Sequence, residues 1–246
     1  MNHIKLFEEF KIKPRAVDVP VYSTGQRPIT VDNKKVIRKQ DVIVATNKTI
    51  REIVISEVER LGKDADLNHI NVSQVTNMNS LFYDTGFEGD VSQWDVSNVT
   101  DMNHIFEDCN NFNCDISGWD VSNVKTMYCM FSECSNFNQD LSSWNVSSVE
   151  DMNQMFIGCT NFNCDLSDWD VSNVRDMSSM FYNCENFNSD ISDWDVSKVK
   201  YMCYMFEGCT NFNQDLSGWD VRNVKNISDM FRNCPIKEEY KPKFEI

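Results

Sequence analysis

What this chain lacks narrows its reading first. No apolar run approaches 18 residues, so the sequence offers no membrane-spanning helix. Its 246 residues include three histidines, little material for a Ser/His or Cys/His nucleophilic pair. G-x-S-x-G, the P-loop, H-E-x-x-H and G-x-G-x-x-G are all missing, and no catalytic residues are expected. Among ten cysteines there is no C-x-x-C pair, and only His69 and His104 lie beyond residue 3. Neither a zinc site nor any other cofactor is therefore expected.

Positive charge is also scarce. The chain holds 23 Lys and Arg against 38 Asp and Glu, a net charge of −15. Residues 1–46 carry nine basic against five acidic groups, which leaves fourteen against thirty-three, or −19, for the rest. Such a body repels nucleic acid and anionic membranes and suits a basic protein partner, a cation, or simple solubility. The opening M-N-H-I-K-L-F-E-E-F-K-I-K-P has charges throughout and no small-residue cleavage site, so it does not read as a signal peptide. The expected location is cytoplasmic.

What is present is a period. Trp94, Trp119, Trp144, Trp169, Trp194 and Trp219 stand 25 residues apart and are all the tryptophans in the chain. A fixed period of this length predicts a solenoid. Cys109, Cys134, Cys159, Cys184, Cys209 and Cys234 follow fifteen residues after each Trp, as one buried column of reduced thiols. Within a unit two spacings coexist. Trp119 and Val121 alternate with Asp120 and Ser122, as in a strand. Val124, Met127, Met130, Phe131 and Cys134 recur mostly every three or four residues, which predicts a short helix. Asn113, Asn138, Asn163, Asn188 and Asn213 fall in the return turn, where they would stack as an amide ladder. The fold expected is an α/β repeat solenoid with a parallel strand ladder and one short helix per 25-residue repeat.

Before the repeats, residues 1–13 carry an amphipathic pattern, residues 14–27 read as linker, and residues 28–45 suggest a hairpin around D-N-K-K. Thr46 or Asn47 can cap a helix whose apolar face is Ile50, Ile53, Val54, Val58 and Leu61, with Gly62 as its stop. The organisation expected is a basic leader at 1–45, a capping helix in 46–65, about seven repeats over 66–234, and an exit segment at 235–246. The first unit is atypical: Ile70 replaces Trp, Thr85 replaces Cys, and Phe87 comes one position early.

The unit M-F-x-x-C-x-x-F-N-x-D-[IL]-S-x-W-D-V-S-N-V is similar to the BspA-like, Mycoplasma-lipoprotein-type repeat family over about residues 46–240. Its I-x-x-W-x-V-x-x-V resembles the core of leucine-rich repeats. The resemblance implies a leucine-rich-repeat-like solenoid used in adhesion or protein binding. Comparable arrays resemble proteins encoded by phages and large viruses, which implies a virion-associated location as the alternative to a cytoplasmic one.

Two sets of residues are candidates for recognition. Asp95, Asp120, Asp170, Asp195 and Asp220, with Asn145 in register, form a column just after each Trp. It would face a basic partner or Ca²⁺, or each Asp would bind a nearby backbone N–H and serve the fold. A second column, Asp115, Asp140, Asp165, Asp190 and Asp215, lies in the turn and reads as structural. Positions that change from unit to unit make the other set: Tyr128, Ile157, Tyr182, Tyr201 and Tyr204, an edge suited to an interface. Lys125, Arg175, Lys200 and Lys225, broken by Glu150, read as a solvated face.

Overall fold

The computed structural model describes residues 21–22 and 42–244. The helical pattern at residues 1–13 and the hairpin turn at residues 32–35 lie outside the described residues. Strand β1 (Val21–Tyr22) falls in the stretch read as linker and pairs antiparallel with β2 (Val42–Val44). Strand β2 then pairs in parallel with β3 (Ile70–Asn71), with Ile43 opposite Ile70. The leader is thus joined to the first unit by backbone hydrogen bonds.

Helix α1 (Ile50–Leu61) buries Ile50, Ile53, Val54 and Glu57, while Leu61 is exposed. Gly62 ends it at φ 105°, its N–H bonded to the Val58 carbonyl. Asn47 is not its cap. Its Oδ1 accepts from the N–H groups of Thr76 and Asn77 at 2.8 and 3.2 Å, and its Nδ2 donates to Thr76 Oγ1. The side chain that could have capped α1 instead fastens it to the first unit.

From residue 66 the units lie side by side. Parallel bridges link Asn77, Asp101, Thr126, Asp151, Asp176, Tyr201 and Asn226 in sequence. One hydrophobic cluster runs from Ile43 to Ile236. The tryptophans are buried, and adjacent rings such as Trp94 and Trp119 lie 6.5 Å apart and nearly parallel. Each Trp also donates Nε1–H to a carbonyl of the unit before, as Trp144 does to Ile116 at 3.1 Å. The cysteines do the same: Cys159 Sγ donates to the Phe131 carbonyl at 3.0 Å. These buried donors are therefore paired between units, which keeps the core from carrying unmet donors. The backbone N–H groups of Asn138, Asn163, Asn188 and Asn213 each donate to Oδ1 of the Asn one unit earlier, an amide ladder.

The segment with helical spacing is not a helix. Among the described residues α1 is the one α-helix, and residues 127–134 form consecutive turns. Met130 N–H bonds the Met127 carbonyl, Ser132 that of Cys129, and Cys134 that of Phe131. Cys129 and Glu133 are left-handed, at φ 53° and 60°, as are their equivalents in every unit. A left-handed residue every fourth position prevents i to i−4 bonding and turns alternate N–H groups outward. Met127, Cys129, Phe131 and Glu133 then donate to the carbonyls of Asp151, Asn153, Met155 and Ile157 in the next unit. Apolar spacing of three and four residues is met equally by such turns, which is why the pattern misleads. Apart from the bridge between Asp66 and Asp90, the isolated parallel bridges fall at the start of this segment, at Thr126 and its equivalents, and not at Trp119 and Val121.

Candidate functional site on the turn-ladder face

The aspartates after the tryptophans lie at the surface and are engaged locally. Asp120 Oδ1 accepts from Ser122 N–H at 3.1 Å, and Asp95, Asp170 and Asp195 accept from the N–H two residues on. Asn145 makes the same turn to Ser147, and Asp220 makes it to Arg222, which also pairs with it through its guanidinium. The second column repeats this geometry at Asp115, Asp140, Asp165, Asp190 and Asp215. These are Asx turns, in which a side-chain oxygen takes the place of a backbone carbonyl.

Their titration has a defined sign. Hydrogen bonds from the Ser two residues on, side chain first, hold Asp115, Asp120, Asp140, Asp195 and Asp215 below the ordinary carboxylate range. For Asp90 and Asp165 the backbone N–H of that Ser is the leading cause. Arg222 brings Asp220 down to about 2. A carboxylate lowered on folding stabilises the fold above its unfolded pKa and loses that contribution as pH falls through its folded one. Asp108, Glu133 and Asp151 are raised by burial and act oppositely. Their contribution is present below the unfolded pKa and is lost as pH rises through the folded one. The lowered groups are more numerous, so the melting temperature should fall steeply below about pH 4. Asp120→Asn with Asp165→Asn should flatten that limb, because Asn145 shows that an amide keeps the turn. An unchanged limb in the double variant would refute this assignment.

The positions that vary between units lie elsewhere, on the turn ladder of residues 101–108, 126–133 and their equivalents. Tyr201 and Tyr204 are exposed there, as is Tyr83, while Tyr128, Ile157 and Tyr182 are half-buried. Ile157 and Tyr182 occupy one column, which also holds Ser132 and Glu207, and the backbone of each unit is bonded to the next at this point. Tyr204 stands in the column of His104, Cys129, Gln154 and Ser179, all left-handed. Tyr201 replaces the bridging Asp151 and Asp176. Lys125, Arg175 and Lys225 of the basic column are exposed and Lys200 is half-buried, with Arg175 and Glu150 paired at 3.2 Å. Its backbone N–H groups reach back one unit, Lys125 to Thr100 and Glu150 to Lys125.

The same face brings together residues that the sequence reading left apart. A ring nitrogen of His104, a Glu107 carboxylate oxygen and Cys129 Sγ all lie within 4.8 Å of one another. His104 and Glu107 are hydrogen-bonded, with side chains 28% and 19% exposed. Cys129 is buried and donates to Gln154 Oε1 at 3.2 Å. Burial first, and the charge of Glu107 next, push its thiol up to about 12. The Tyr128 ring meets the His104 ring edge-on at 4.7 Å, and Tyr83 stands 6.5 Å away on the other side. One signal was available: His104 and Cys129 are 25 residues apart, hence in the same place on adjacent units.

These features define a repeat protein whose units are bonded one to the next along a common core. The chain belongs to the DUF285 family, described as a Mycoplasma protein of unknown function, whose profile matches residues 52–169 and again 140–241. No curated protein and no solved structure matches the chain.

Proposed function

We propose that this chain is a non-enzymatic protein-interaction scaffold, a leucine-rich-repeat-like solenoid of the BspA-like kind that binds through its turn-ladder face. One observation carries the reading. Among the described residues the exposed large hydrophobic side chains are Val42, Leu61, Tyr83, Tyr201 and Tyr204, and the three tyrosines all stand on that face. Core columns repeat because the fold needs them, and the aspartate columns repeat because the turns need them. Recognition falls to positions where one unit differs from the next, and exposed aromatic residues are favoured contact anchors. The acidic body suits a basic partner, whose approach it would accelerate.

The triple variant Tyr128→Asn, Tyr182→Ser, Tyr204→Ser tests this in the full chain. Asn103, Ser132 and Ser179 already occupy these columns in other units, so the fold should hold. Capture of a specific partner should weaken by at least about tenfold. Capture at wild-type affinity would remove the face from the proposal.

A second reading rests on the charge contrast between leader and body. In it the array is a structural, virion-associated or adhesin-type module docked through its basic N-terminal segment. Because β1 is joined through β2 to the first unit, the informative deletion is residues 1–20. Loss of partner binding on that deletion, with the tyrosine variant unaffected, would favour the second reading over the first.

A further inference from the structure

We propose that His104, Glu107 and Cys129 form a surface site for a thiophilic divalent transition metal, with Zn²⁺ the best chemical match. Imidazole, carboxylate and thiolate are the three donor types that zinc accepts. Tetrahedral bonding at ordinary lengths sets donors about 3.3–3.6 Å apart. The three atoms already lie within 4.8 Å, and the two that must move belong to partly exposed side chains at the surface. Among the described residues no other group of three His, Cys, Asp or Glu donors meets as closely.

The fold builds the site from two adjacent units. His104 and Cys129 share one column, and both are left-handed, at φ 56° and 53°. Glu107 lies three residues past His104, where two overlapping turns bring it back to the imidazole. An ion here replaces the hydrogen bond between His104 and Glu107, and the proton of that bond leaves to solvent. The Cys129 thiol proton leaves to solvent, and the thiolate bonds the metal. The edge of Tyr128 against the imidazole fixes the ring plane, as outer groups do for ligating histidines. Asp84, Asp108 and Glu133 stand near the same face and draw cations to it. Water completes the coordination from the exposed side. Ca²⁺, which takes oxygen ligands, is a poor fit to this set.

Neighbouring units supply the variants for the test. Ser179 stands in the column of Cys129, Gln154 in that of His104, and Ser132 in that of Glu107. Cys129→Ser, His104→Gln and Glu107→Ser therefore each copy a residue this backbone already holds. The full reduced chain, stripped with chelator, is titrated with Co²⁺. One equivalent should bind with thiolate-to-cobalt absorption in the near ultraviolet, and Zn²⁺ but not Ca²⁺ should abolish it. Cys129→Ser should lose the absorption, and His104→Gln and Glu107→Ser should each weaken binding at least about tenfold. Cys203→Ser, which changes a partly exposed thiol, should bind as the parent does. No thiolate absorption in the parent, or the same absorption and affinity in the three ligand variants, would overturn the site. Melting curves close to the parent's keep a loss of binding from being a loss of fold.

Discussion

Phe156→Ala should cost about 3–5 kcal/mol, the range for truncating a large aromatic side chain in a packed core. Phe156 is wholly buried. Its ring lies 5.6 Å from Phe131, 4.1 Å from Phe162, 5.8 Å from Phe181 and 6.4 Å from Trp169. Those neighbours span the unit before and the unit after. The cavity cannot close by a local shift, because each neighbour is held by its own backbone bonds between units. Phe231, the last residue of this column, is only half-buried and, among the described phenylalanines, stacks on Phe206 alone. Phe231→Ala should cost about 1–2 kcal/mol, since less apolar surface leaves water. Urea titration followed by tryptophan fluorescence measures both. Equal losses at the two positions would show that the column is not the continuous support described.

The thiols should divide sharply under native conditions. Cys114, Cys203 and Cys234 are partly exposed, and the other seven are buried. Burial raises Cys134, Cys159, Cys184 and Cys209 well above the ordinary thiol range, and their Sγ–H groups are bonded to carbonyls one unit away. A reagent that attacks thiolate reaches them only when neighbouring units separate. For a stack of ordinary stability that opening slows the reaction by at least about a thousandfold. Three thiols should react with an aromatic disulfide reagent in the native chain and all ten in denaturant. Rapid native reaction of more than three would contradict the burial of the other seven.

Residues that recur in every unit were readable before any coordinates. Trp119, Val121, Met127, Phe131 and Cys134 are buried where the period places them, and Asn138 joins the amide ladder. The turn aspartates were readable as well, because Asp two residues before Ser is a local signal. Helix α1 was legible from its apolar spacing and Gly62. Its N-terminus was not, because Asn47 turned out to serve the first unit. Tyr201 and Tyr204 could be picked out as departures from the repeat, although their exposure could not be ranked above that of Tyr128 or Tyr182 without the fold.

Two matters escaped the sequence for one reason. Met127, Met130, Phe131 and Cys134 carry an apolar stripe, but a stripe says only which side faces the core. Whether an N–H bonds four residues back or across to the next unit depends on a neighbour being there to receive it. The carbonyls of Asp151, Asn153, Met155 and Ile157 are that neighbour, and the left-handed Cys129 and Glu133 point the donors at them. The same choice of backbone path places the His104 imidazole beside Glu107 and the Cys129 thiol. A 25-residue period and its columns follow from covalent order alone. Which atoms meet across adjacent units follows from packing, because each unit's hydrogen bonds are completed by another.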